Sequence, residues 1–316
     1  MEFKTLGHSE LTVSAVGLGC MNFGAMCDQA ATDAVVAAAL DAGVNFFDIA
    51  DIYGGSHGKA ETLLGKALGQ QRARVIVATK FGAKLGGRGG AADGGGSAAY
   101  IVKAVEDSLG RLGTDYIDLY QHHFPDVGTP IEETLRALQD LVAAGKVRHI
   151  GCSNYSGEQL QAACMAAKGA GMRGFVAAQN RYSLLFREIE TALVPIAQGQ
   201  QIGILPYFPL ESGLLSGKYR QGEKAPADTR FGKWGGGGGF VSPQRWAAVE
   251  SLQRYGEGLG RSVLDLAIGW LAAQPYVTSV IAGVTRPEQI RQNVAAASWP
   301  ISAEQLDEIS RLATPA

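Results

Sequence analysis

Cysteine is scarce in this sequence, and the little there is excludes two classes at once. The 316-residue chain holds four, Cys20, Cys27, Cys152 and Cys164. No two of them stand in a CxxC spacing, so neither a disulfide framework nor a zinc ribbon is indicated, and reduced thiols are expected. An excess of one charge is also missing: 28 Lys+Arg face 30 Asp+Glu. That balance argues against a nucleic-acid partner, which would call for a basic patch or stripe. Long apolar runs are absent, with nothing approaching the roughly 18 residues of a membrane span. The opening MEFKTLGHSE has no apolar signal core. The expectation is a soluble, cytoplasmic protein with no membrane association.

What the chain does have is alternation. Short β-branched runs fall at 15–21, 44–50, 75–81, 116–122, 147–153, 173–179, 202–208 and 277–283. Amphipathic stretches lie between them, for example 33–43, 99–113 and 131–145, and these three end at a glycine, the usual helix stop. Eight strands alternating with helices predict parallel βα units closing into one (β/α)8 TIM barrel over 1–316. The segment FKTLGHSELTVS before it reads as an amino-terminal β-hairpin with Gly7 and Ser9 near its turn. Two glycine-rich loops, 86–96 and 235–239, each follow a strand and precede a helix. In a barrel they fall on the face that carries active sites, either as plain flexible linker or as a lid over a substrate.

Three apparent motifs fail on inspection. GLGCMNFG (17–24) has Asn22 where a dinucleotide fingerprint needs its third glycine, and lacks the sheet context. GSHGKAE (55–61) has Ala60 where a phosphate loop needs Ser or Thr. The adjacent pair His122 and His123 cannot share a metal, because successive side chains on a strand point to opposite faces. No metal is expected.

The polar residues that close apolar strands make a better constellation, since barrels place catalytic groups at strand carboxyl ends. FFDIADIYG carries Asp48 and, five residues on, Tyr53; VATKFG carries Lys80; DLYQHH carries the histidine pair. A lysine closing an apolar run is costly to bury without a partner, and Asp48 is the natural one. A lysine cation beside a tyrosine stabilises the phenolate and is expected to lower its pKa. Such a set would protonate a carbonyl oxygen while a nicotinamide delivers hydride, which no side chain can supply. Each residue also has an ordinary explanation: Asp48 as a loop cap, Tyr53 as packing, Lys80 as a structural ion pair.

Taken together and in order, FFDIADIYGGS, VATKFG, YIDLYQHHFPD, GCSNYS and IAGVTRPEQIRQNVAA resemble the aldo-keto reductase superfamily along nearly the whole chain. The opening is similar to that of its bacterial and plant branch. The resemblance implies a barrel binding extended NADPH (NADP+) without a Rossmann fold. By position it implies a tetrad of Asp48, Tyr53, Lys80 and His123, with Tyr53 as proton donor and His122 in the place of a leucine. It further implies that Ser153, Asn154 and Gln179 hold the nicotinamide carboxamide and that Tyr207 stacks on its ring. Leu210, Ser212, Gly213 and Leu215 would wrap the pyrophosphate. Arg286 would meet the 2′-phosphate, Gln292 and Asn293 the adenosine part, and Gln289 would be a further cofactor-binding residue. Phe208 replaces a common serine, and Gly283 stands where many relatives carry a phosphate-binding lysine, so NADH use stays open.

The activity so implied is reversible reduction of an aldehyde or ketone to an alcohol, with a small-molecule substrate and a monomer by family default. The substrate pocket is expected around Met21, Phe23, Tyr53, Phe81, Phe124 and the glycine-rich loops, which suits a hydrophobic carbonyl compound. Two other readings stay open: a nucleotide-sensing regulatory subunit, as in channel-associated members of the superfamily, and a barrel aldolase using Lys80 as a Schiff base.

Overall fold

The computed structural model describes residues 1–55, 58–83, 94–227, 229–233 and 235–314. All but the last three positions of the glycine-rich stretch 86–96 therefore lie outside the described residues. Two short strands, β1 (Phe3–Thr5) and β2 (Thr12–Ser14), pair antiparallel in a hairpin, with Phe3 opposite Ser14. Gly7 takes the left-handed turn conformation (φ 57°), and Ser9 Oγ donates to the Leu6 carbonyl at 2.7 Å.

Eight parallel strands follow: β3 (Val16–Gly19), β4 (Phe46–Asp48), β5 (Ile76–Phe81), β6 (Ile117–His122), β7 (Val147–Ser153), β8 (Ala177–Arg181), β9 (Gly203–Tyr207) and β10 (Val280–Gly283). They pair in the order β10-β3-β4-β5-β6-β7-β8-β9. A parallel bridge between Ile204 and Val277 brings the two ends together, so the sheet is a nearly closed barrel with helices between its strands. The helices match the sequence periodicity closely. Those over Gln29–Asp41, Ala98–Leu112 and Ile131–Ala143 stop just short of Gly43, Gly113 and Gly145, which have φ of 80°, 64° and 73°. The first starts earlier than its apolar pattern because Asp28 accepts from Ala31 N and caps it.

The strands alternate between two cores. One face of each contributes to a shell against the helices, which includes Phe47, Val77, Tyr120 and Ile150. The other contributes to an inner plug of Phe46, Ala78, Leu119, Ala177, Leu205 and Ile281, on which the hairpin's Leu6, Leu11 and Val13 pack. Burying one such large side chain contributes about 1.5–3 kcal/mol. Gly17 makes room for the plug, since a Cβ there would lie 2.7 Å from Cδ1 of Phe46. Because side chains repeat every two residues along a strand, the next layer inside the barrel is set by the plug. Phe46 leads to Asp48, Ala78 to Lys80, Leu119 to Gln121 and Ala177 to Gln179. An apolar plug thus carries a polar layer at the carboxyl ends of the strands.

Candidate functional site

That polar layer is a connected set of buried groups. Lys80 is fully buried, and its Nζ donates to Asp48 Oδ2 at 2.7 Å and to the Ile49 carbonyl at 3.0 Å. Gln179 Nε2 donates to the other carboxylate oxygen, Asp48 Oδ1, at 2.7 Å, and Gln121 Nε2 reaches the same atom at 3.3 Å. Asp48 is therefore met by one cation and two amides, the partners a buried carboxylate requires. Tyr53 arrives from the loop after β4, and its hydroxyl lies 3.5 Å from Lys80 Nζ. Its ring stands edge-on to that of His123, with centroids 5.8 Å apart.

The two histidines part company as strand alternation requires. His123 lines the cleft above this layer. His122 turns to the helix side, where it stacks on Phe81 and its Nδ1 meets the Tyr155 hydroxyl at 2.8 Å. Burial, with help from the Lys80 cation and from His122, holds the His123 pKa well below 6.5, so its ring is neutral. Burial brings His122 down to about 4, with Asp126 opposing.

For Tyr53 the sequence expectation is corrected. Burial pushes its phenol above the ordinary 10.0, and the Lys80 cation, which acts in the opposite direction, does not overcome that. Burial also works to discharge Lys80, but Asp48 beside it, together with Tyr53, outweighs burial and keeps the ammonium charged.

Above the layer opens a cleft of about 1010 Å³. Its lining includes Asp48, Tyr53 and His123 of the expected tetrad, with Lys80 buried beneath the floor. Of the expected nucleotide contacts it brings together Ser153, Asn154, Gln179, Tyr207, Leu210, Ser212 and Gly213 on one side. Gly283, Arg286, Gln289, Gln292 and Asn293 are on the other. Asn154 adopts a left-handed conformation (φ 62°) and ties three strand ends together. It donates to the His123 carbonyl at 2.9 Å and accepts from Tyr207 Oη at 2.7 Å. Gln289 Oε1 caps the helix Pro287–Ala297, taking the backbone N–H of Thr285 at 2.8 Å and of Arg286 at 3.2 Å.

Three expected residues lie elsewhere. Leu215 is fully buried in the outer core and does not reach the cleft. Phe23 and Phe81 are likewise buried and absent from the lining, whereas Met21 and Phe124 are present. In Phe81 the strand alternation that brings Lys80 inward turns the next side chain outward, where it stacks on Tyr120 and His122.

The structure also adds residues that the motifs missed. Gln121 joins the Asp48 network, and its signal was the two-residue step from Leu119. Lys218, Arg230 and Lys233 bring cations to the cleft from the long segment after β9. Arg230 Nη2 donates to Asn22 Oδ1 at 3.0 Å across a separation of 208 residues, a pairing no local pattern announces.

A sequence profile of the Aldo/keto reductase family matches residues 15–314. Among relatives, the chain is similar to a probable voltage-gated potassium channel subunit beta of Arabidopsis thaliana, 34% identical over 98% of this chain and 96% of that one. It is similar to the uncharacterized oxidoreductase YrpG of Bacillus subtilis, 35% identical over 97% of this chain and 94% of that one. It is also similar to L-glyceraldehyde 3-phosphate reductase of Escherichia coli K12, 31% identical over 98% of this chain and 92% of that one. With the barrel, its polar layer and these likenesses in hand, the chain belongs to the aldo/keto reductase family.

Proposed function

We propose that the protein is an NADPH-dependent carbonyl reductase in which Tyr53 is the general acid. The observation that carries this reading is the Tyr53 hydroxyl, 3.5 Å from a Lys80 ammonium that is itself fixed to Asp48 at 2.7 Å, on the floor of a large cleft. The cleft's donor set fits a dinucleotide phosphate. Arg286 and Lys218 supply charge, and Ser212 Oγ is a buried lining hydroxyl with no hydrogen-bond partner among the described residues. Arginine suits a 2′-phosphate because its fork donates two hydrogen bonds at once. Ser153, Asn154, Gln179 and Tyr207 of the cleft would hold a nicotinamide, which when bound would supply the hydride that no side chain can.

The chain's own groups do the rest. Tyr53, a phenol protonated at neutral pH and held so still more firmly by burial, donates its proton to the carbonyl oxygen. Lys80 is placed to stabilise the phenolate that remains, and Asp48 keeps Lys80 charged and fixed. Neutral His123 stands beside Tyr53 and can orient the carbonyl oxygen without competing for the proton. The same arrangement disfavours a Schiff base on Lys80, since a buried, charged ammonium is not a nucleophile.

Tyr53→Phe tests the reading: turnover on aldehydes and ketones is expected to fall by about 10² to 10⁴, with NADPH affinity unchanged. Comparable turnover in that variant sinks the assignment. A second reading, a nucleotide-binding regulatory subunit with slow turnover, draws support from the relatives named as probable channel beta subunits. Tight NADPH binding with no turnover across a broad carbonyl panel would favour it.

A further inference from the structure

One buried carboxylate beside the cleft has no part in the chemistry above. Glu211 lies in the loop after β9 with no solvent exposure. Arg181, the last residue of β8, grips it with Nε at 3.3 Å and with Nη2. Ser183 Oγ donates to it at 2.9 Å and Arg245 Nη1 at 3.1 Å. Arg245 belongs to the first turn of the helix Pro243–Gly258, and it also donates to the carbonyls of Phe240 and Leu185, each at 3.2 Å. Three separate parts of the chain therefore meet on one carboxylate.

The backbone there is unusual. Phe208, Glu211 and Ser212 have φ of 54°, 46° and 57°, three side-chain-bearing residues in the left-handed region within one short turn. Such conformations persist only where the surroundings over-determine them. The turn is also a wall of the cleft, presenting Phe208, Leu210 and Ser212. The Phe208 ring stands against Tyr207 (5.2 Å) on one side and Phe240 (5.6 Å) on the other. The Arg181 guanidinium covers the Phe240 ring at 4.9 Å. Phe240 follows the glycine-rich run 235–239, so the clamp on Glu211 also fixes the end of that run against the wall.

We propose that Glu211, gripped by Arg181 and Arg245, is a positioning residue for the nucleotide. It holds the turn 208–213 in the shape that offers Ser212 Oγ and the Phe208 ring to the ligand, so that loosening the clamp weakens the grip on bound nucleotide. The inference rests on the functional reading above. The clamp is buried, so added salt screens it little, and its bonds are of the strong, charge-assisted kind.

The test measures binding in the absence of any carbonyl substrate. Arg245→Met removes one arm and keeps the Arg181–Glu211 pair, so the fold is retained; Glu211→Gln removes the charge on which both arms close. NADPH affinity is read by fluorescence titration and its dissociation rate by stopped-flow chase. Dissociation from Arg245→Met is expected to be about tenfold faster or more, the factor that corresponds to losing roughly one charged hydrogen bond from the closed state. The single-turnover rate of preloaded protein should stay unchanged, which a general loss of structure would not allow. A folded Arg245→Met with the wild-type dissociation rate overturns the inference while the functional reading stands. A wild-type protein that binds neither NADPH nor NADH overturns both.

Discussion

The floor of the cleft stands on strands and its wall after β9 on a loop, and the two are held in shape by different means. On the floor, Asp48, Lys80, Gln121 and Gln179 are successive inward positions above an apolar plug. Their separations follow from strand register, in which Lys80 faces Gln121 and Asp48 faces Ala78. In the wall, Phe208, Glu211, Ser212 and Gly213 take left-handed backbone, and side chains brought from the end of β8 and from a distant helix hold it. The floor suits proton transfer, which needs fixed distances. On the function proposed above, the wall suits a ligand that must enter and leave.

The largest effect should come from breaking the floor. Lys80→Met leaves Asp48 as a buried, unpaired charge, which should cost about 3–5 kcal/mol of stability, and turnover should fall by about 10² to 10⁴. Thermal unfolding and steady-state rates read both. Adding Asp48→Asn should restore much of the stability and none of the turnover. If the double variant regains activity, the floor is structural only.

Just outside the floor, Asp51 tests burial without a dedicated cation. It is 1% exposed, with one carboxylate oxygen unpartnered among the described residues. Burial first, then neighbouring Glu61, lifts its pKa from 3.8 to about 7, with Arg111 and Tyr100 opposing. A carboxyl whose pKa is higher in the folded protein contributes stability that is fully present below its unfolded pKa. That stability is lost as pH rises from about 4 through 7, on the order of 4 kcal/mol in all. Asp51→Asn should therefore gain on wild type above pH 7 and lose the advantage near pH 4. Parallel unfolding curves across that range would contradict this.

The histidine pair offers a sharper, smaller contrast. His123→Ala should lower turnover by about 10², while His122→Phe, on the far side of the strand, should leave it near wild type. Smallest of all is the effect of pH on reduction. With His123 already neutral and Tyr53 protonated to above 10, kcat for reduction should show no step near 6.5 and should fall only at strongly alkaline pH. Oxidation of an alcohol, which needs the phenolate, should rise with pH instead.

Much of this was legible in the chain itself. The alternation of short apolar runs and amphipathic stretches predicts the barrel, because parallel strands buried on both faces leave that pattern. The two-residue period lets only one of His122 and His123 face the cleft, and the resemblance to the family singles out His123. The motifs in their order identify the family and name about half of the residues that line the cleft. Local patterns end where distant segments meet. Nothing in the order of residues announces that Arg181 and Arg245 close on Glu211, that Arg230 reaches Asn22, or that Leu215 and Phe23 are spent on the core. The pKa of Tyr53 shows the reason most plainly. Its neighbour Lys80 could be named from the sequence, but the depth of its burial could not. Burial is a property of everything packed around a group, so only the folded chain decides whether desolvation or the nearby charge prevails.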